Sequence, residues 1–257
     1  MREADSDPVV SSVVFTLLIT FLTGGLALIN GFNLLPLSLV FPSLISGLLY
    51  AWGTWCFFKA IKTIEASLMT ILTGFGAIVT IITAFIFIGE RLNLNQLAGV
   101  VMVLVAIILV NFEKKSVNLK QGVVLSLVGT SLFGLAVTND ANILKSYDAI
   151  SYAPVIFFFT ACILCIINFR KIPLIAIHIR NKLNPNLVIY SFLYSIQAVT
   201  YYLALDSGAM ASQMNAIFKS EIILTVILAS VILGERSKMG LKIIASLMVT
   251  AGVLMVK

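Results

Sequence analysis

The sequence predicts an all-α integral membrane protein of about nine transmembrane helices, and three observations predict it. Of the 257 residues, 60% are hydrophobic and only 11% charged, where soluble domains carry about a quarter charged residues. A soluble fold with this composition would lack the polar side chains to cover its surface. The apolar residues run for about 20 at a time, the length a helix needs to cross a bilayer, whereas barrel strands alternate over about ten. The chain also repeats itself: Gly-Glu-Arg stands at 89–91 and again at 234–236. In lipid each backbone polar group must be satisfied within its own segment, so every run is expected to be a helix.

Nine apolar runs follow in order, at 9–30, 36–58, 66–88, 95–111, 120–143, 150–168, 186–205, 209–233 and 240–256. Residues 1–8 are polar and the first run ends without a small-residue cleavage site, so it reads as a span rather than a signal peptide. The joints are short, as between consecutive antiparallel helices. The longest, 168–186, contains IPLIAIHI, a stretch suited to lie along the membrane surface.

Lys and Arg are distributed unevenly over the two sides that these spans define. One side receives Arg2, Lys59, Lys62, Lys114, Lys115, Lys120, Arg170, Lys171, Arg180, Lys182, Arg236, Lys238 and Lys242; the other receives Arg91, Lys145 and Lys257. The bias places the N-terminus in the cytoplasm and, with nine spans, the C-terminus outside. The net charge of +6 is thereby explained by topology, which argues against a nucleic-acid partner. Cys162 and Cys165 lie a turn apart in an apolar run and read as soft packing groups, since no second ligand pair accompanies them. His178 reads as a solvated joint residue. No metal site and no cofactor are expected.

The repeat organises the chain. The Gly-Glu-Arg words align at an offset of 145, and Ala66-Ser67 falls on Ala211-Ser212 at the same offset. After a one-residue slip, Tyr50, Phe57, Phe58 and Ala60 fall on Tyr194, Tyr201, Tyr202 and Ala204. The copies, 1–116 with four spans and 117–257 with five, differ by an odd number of spans and are therefore inverted. Inverted repeats with a site near the midplane are the architecture of secondary transporters.

With both helix endings in place, Ile88-Gly89-Glu90-Arg91 and Leu233-Gly234-Glu235-Arg236, each followed by an apolar run, the chain resembles the EamA-type members of the drug/metabolite transporter superfamily over nearly its whole length. The resemblance implies two inverted EamA-like repeats and secondary transport of small organic metabolites, amino acids or amphipathic compounds across the cytoplasmic membrane by alternating access, in the export direction. It also implies the lipid bilayer as partner, with proton coupling and a homodimer as further expectations. The family pattern places a helix before residue 9, equivalent to 119–146 in the second copy. Either an upstream segment supplies it or another chain completes the cavity, and in the latter case the chain is a partner-requiring or non-transporting subunit.

Candidate site residues are the polar groups inside spans, because charge at mid-bilayer costs about 2.5–3.5 kcal/mol on insertion scales. Lys219 and Glu221 lie two residues apart, on opposite sides of one helix. Asn215 and Lys219 share a stripe with Ser212, and Glu221 shares one with Thr225. Tyr194 and Gln197 belong to a stripe with Tyr190 and Tyr201. Asp140, next to Asn139 in the last third of the fifth span, is either the partner of Lys219 or an interface residue near Lys145. The first-copy equivalents of Asn215, Lys219, Glu221 and Thr225 are Thr70, Gly74, Gly76 and Thr80. The charges therefore belong to one half, which favours binding over architecture. Glu221 is the expected proton or substrate-ammonium site, and Lys219 the carboxylate partner. Glu90, Arg91, Glu235 and Arg236 read as helix-end anchors. No HExxH, Asp-rich diphosphate motif, Ser/His pair or Gly-rich phosphate loop points to an enzyme.

Overall fold

Helices make up most of the described residues, which in this computed structural model are 7–89, 93–111, 121–181, 184–211, 214, 218, 221–234 and 238–255. They are α1 (Pro8–Asn30), α2 (Leu37–Ala60), α3 (Ala66–Thr83, continued by a π turn over Ala84–Ile88), α4 (Leu94–Asn111), α5 (Gln121–Ile143), α6 (Ala149–Ile167), α7 (Ile172–Asn181), α8 (Pro185–Asp206), α9 (Glu221–Ile232) and α10 (Met239–Leu254). Among the described residues α1, α2, α3 with its π turn, α5, α6 and α8 are long and apolar enough to span a membrane. Shorter apolar helices lie at Leu97–Ala106, Glu221–Ile232 and Met239–Leu254. The joint at 168–186 carries a helix of its own, α7, whose Ile175 is buried while Ile172, Leu174, Ile177 and Ile179 are exposed.

The helix starts obey capping chemistry. Asp7 accepts from the Val9 N–H at 2.8 Å ahead of Pro8, and Asp148 accepts from the Ser151 N–H at 2.8 Å. Asn184 accepts from the Asn186 N–H ahead of Pro185. In each case an acceptor satisfies a donor that the first turn leaves over, and in α1 and α8 the proline at the first position loses no bond. The repeated Gly-Glu-Arg word has a conformational meaning at its glycine. Gly89 and Gly234 take φ of 78° and 67°, the left-handed turn that ends a helix and that side chains resist. The anchoring role expected for Glu90, Arg91, Glu235 and Arg236 falls on residues outside those described.

The outward faces are apolar. Leu37 is 90% exposed, Ile29 85% and Phe21 81%, a surface that water would not tolerate on a monomer but lipid solvates. Cys56 is buried, while Cys162 and Cys165 are half-buried free thiols rather than fully packed ones.

The helices form two compact units, and each unit takes material from both sequence copies. The first comprises residues 1–58 and 139–209, the second 59–138 and 210–257. In the first unit α1 packs against α6, α7 and α8, and α6 against α8. Its rings cluster around Phe15, which stacks on Tyr190 at 5.0 Å and meets Tyr194 at 5.2 Å and Phe58 at 5.5 Å.

In the second unit small residues bring backbones together, as membrane helices require when lipid gives them no hydrophobic drive to associate. A Cβ on Gly134 would stand 2.8 Å from the Gly76 carbonyl oxygen, and one on Gly252 2.7 Å from that of Gly99. Threonines bridge the same α3–α5 seam: Thr130 donates to the Thr73 carbonyl at 3.1 Å, and Thr83 and Thr138 share a 2.6 Å bond.

Candidate functional site

Asp140 is the best-defined polar centre among the described residues. It sits in the last turn of α5 with no solvent exposure, while Lys145 beyond it is exposed. Four hydroxyls converge on its carboxylate. Ser46 Oγ and Tyr152 OH each donate to Oδ1 at 2.6 Å; Tyr50 OH donates to Oδ2 at 2.7 Å and Tyr202 OH to Oδ2 at 3.1 Å. A carboxylate offers about four lone-pair positions, so two donors on each oxygen complete its shell.

Local sequence places each donor. Ser46 and Tyr50 are four residues apart on α2 and share one helix face. Tyr152 lies in the first turn of α6 and Tyr202 in the last turns of α8, so both reach the same depth as the end of α5. Asn139 orders the cluster further: its Nδ2 donates to Ser46 Oγ at 2.8 Å and to the Pro42 carbonyl at 2.9 Å. Ser46 thus accepts from Asn139 while it donates to Asp140. Tyr152 meets Tyr202 edge-on at 5.4 Å and Tyr147 at 6.3 Å, so aromatic packing fixes the hydroxyls in place.

About one helical turn beyond the cluster, the end of the first unit is polar and acidic. The Tyr147 hydroxyl donates to the Asn33 carbonyl at 2.6 Å, and Asn33 Nδ2 donates to Asp148 Oδ2 at 2.9 Å. Burial alone would raise the Asp148 carboxyl; the bonds from Asn33 and Ser151 outweigh it and hold the group below the usual carboxylate range. Asp206 accepts from the Ala149 N–H at 3.4 Å. At the opposite end of α1, Lys171 pairs with Asp7.

The remaining candidates divide. Tyr194 is half-buried and packs edge-on against Phe157 at 6.2 Å as well as on Phe15; Gln197 is half-buried one turn further along α8. Glu221 is exposed in the first turn of α9. Lys219 and Asn215 lie outside the described residues, so the pairing of Lys219 with Asp140 has no geometry here. Among the described residues every partner of the Asp140 carboxylate is a hydroxyl, and no group of His, Cys, Asp and Glu is arranged to hold a metal.

Ser46, Tyr50, Tyr152 and Tyr202 are not among the site residues that the sequence singles out. The i, i+4 pair Ser46/Tyr50 in an apolar helix is the one available signal, and it points to a polar partner without naming it.

The comparisons with known proteins agree with this architecture. Residues 4–112 match the model of the EamA-like transporter family. No curated protein matches the chain. A solved structure titled "Crystal structure of protein" shares the fold with a TM-score of 0.68, over 99% of this chain and 89% of that one, at 14% identity. That match covers less than half of the chain, and over those residues the chain is similar to the EamA-like transporter family.

Proposed function

We propose that the protein is a secondary transporter that exports small organic metabolites, amino acids or amphipathic compounds across the cytoplasmic membrane by alternating access. The observation that carries this reading is Asp140: an ionisable group at zero exposure among membrane-length helices. Intramembrane ionisable groups are rare and mark substrate or ion pathways. A bundle that needed only stability would hold these helices together with apolar contacts at less cost.

The distribution of charge supports a cytoplasmic N-terminus and an external C-terminus. In the first unit Lys171 stands at the Asp7 end of α1, while Asn33, Asp148 and Asp206 gather at the other end. Positive residues favour the cytoplasmic side. In this reading Tyr194 and Gln197 line the substrate path, Glu221 receives a substrate ammonium group, and Lys219 with Asn215 receives a carboxylate.

The test has two steps on the purified chain. A thermal-shift screen against pools of amino acids and amphipathic amines selects compounds that bind the folded state, since a ligand at 100 times its Kd stabilises by about 2.7 kcal/mol. Selected compounds are then loaded into proteoliposomes. Protein-dependent exchange of the labelled compound across the bilayer is expected; binding without exchange for every selected compound would overturn the assignment.

A further inference from the structure

We infer that Asp140 is the proton-binding site of this protein, and that its hydroxyl shell converts the arrival of a proton into movement of α2, α6 and α8. The inference deepens the transporter reading and rests on it for the word transport, but not for proton binding itself.

As a carboxylate, Asp140 only accepts, and its two oxygens take two hydroxyl bonds each. Protonation places a hydrogen on one oxygen, so one of the four hydroxyls must reverse its bond or withdraw. Ser46 already accepts from Asn139. A hydroxyl that reverses must redirect its own hydrogen, and a buried donor left without an acceptor is costly; the neighbouring hydroxyls, Tyr50 beside Tyr202 and Ser46 beside Tyr152, are within reach to take it. Protonation therefore re-forms the shell rather than leaving it as it stands.

The elements involved make this consequential. The four donors come from α2, α6 and α8, so a single proton at α5 bears on a shell that all three helices share. The titratable groups that face Asp140 are Tyr50 from α2, Tyr152 from α6 and Tyr202 from α8, and α5 adds the neutral Asn139. Among the described residues no lysine, arginine or histidine is in hydrogen-bonding reach of it, and its carboxylate oxygens are the basic atoms that a proton would take. With zero exposure, Asp140 can exchange that proton only when the helices part. The short path is toward the acidic end at Asn33 and Asp148. Proton binding and helix separation are thus linked in both directions.

Trp52 and Trp55 stand on α2 just beyond Tyr50 and against each other at 5.7 Å, and they are the only tryptophans. Their emission therefore reports on the helix that carries two of the donors. The experiment uses the full chain in lipid nanodiscs, titrated between about pH 4 and 9, with the proton as the only ligand. Infrared difference spectra of the wild type should show a protonated-carboxyl band that Asp140→Asn lacks, and tryptophan emission should change with the same midpoint. Superimposable wild-type and Asp140→Asn spectra, or an emission change that survives in Asp140→Asn, would overturn the inference.

If Asp140→Asn does not yield monodisperse protein, Tyr50→Phe and Tyr202→Phe decide. Each keeps the ring and removes one donor, and each should displace the midpoint by about one pH unit; unchanged midpoints overturn the inference. None of these readouts requires flux, so a chain that transports nothing can still pass. A transporter whose Asp140 does not titrate fails here alone.

Discussion

Lys242 on α10 and Glu65, the residue that precedes α3, form an ion pair in which the lysine side chain is 5% exposed and the glutamate 34%. The contact fixes the start of α3 to the first turn of α10. The asymmetry of burial makes the two partners unequal. Glu65→Ala leaves a buried ammonium without a counter-charge, whereas Lys242→Met leaves a carboxylate that already reaches solvent. Glu65→Ala is expected to destabilise by on the order of 2 kcal/mol, below the 3–5 kcal/mol of a fully buried pair because Glu65 is a third exposed. Lys242→Met is expected to cost less. Thermal melts of both variants in one detergent check the order.

Gly134 of the second unit and Gly25 of the first differ sharply in what surrounds them. Gly134→Val would drive branched carbons into the Gly76 carbonyl and Val79, which lie only 2.8 and 3.0 Å from where a Cβ would stand, while Gly25 has nothing within 4 Å of the corresponding point. Gly134→Val should cost at least the roughly 1–3 kcal/mol typical of overpacking, and Gly25→Ala should leave the melting temperature nearly unchanged. The melting temperatures of the two variants test this.

Acid should weaken the polar end of the first unit. Asp148 is held below the usual carboxylate range in the fold. A carboxyl lowered by folding contributes stability that is full above its unfolded value, about pH 4, and is lost as pH falls through its folded value. Asp7 behaves alike: burial opposes ionisation, but Lys171 and the N–H groups of Val9 and Val10 prevail. Melting temperature should therefore be flat in these groups near neutrality and fall below about pH 4. Asp148→Ala should reduce that acid slope and cost about 1 kcal/mol through the lost α6 cap. A pH series of melts on wild type and variant provides the measurement.

The fold is largely legible in the sequence because its signal is local. The runs at 9–30, 120–143 and 186–205 correspond to α1, α5 and α8 with ends displaced by a residue or two, since apolar length and capping residues act within one segment. The repeated glycine at 89 and 234 marks real helix ends for the same reason. The Asp140 cluster is only half legible. Asp140 stands out as a charge in an apolar run, but Ser46, Tyr50 and Tyr202 reach it across 94, 90 and 62 residues of chain. Nothing in a tyrosine's neighbours tells which helix it will face, and the visible stripe through Tyr190, Tyr194 and Tyr201 passes over Tyr202 itself. Tyr190 and Tyr194 instead fill the ring cluster around Phe15.

Glu221 and Asp140 are assigned different tasks, ammonium binding and proton binding. Glu221→Gln should weaken amine-bearing compounds by about 10- to 100-fold, the worth of a charge-assisted hydrogen bond, while the acid titration of tryptophan emission is retained. Competition binding on the folded variant, with and without the amino group on the probe, separates this from general loss of structure.

The most direct measurement is gradient-driven transport in proteoliposomes, with a compound selected by thermal shift and with wild type and Asp140→Asn side by side. The wild type should accumulate the compound against its concentration when a pH gradient is imposed, and Asp140→Asn should still exchange it across the bilayer but fail to accumulate it. Accumulation by Asp140→Asn equal to that of the wild type would contradict the account.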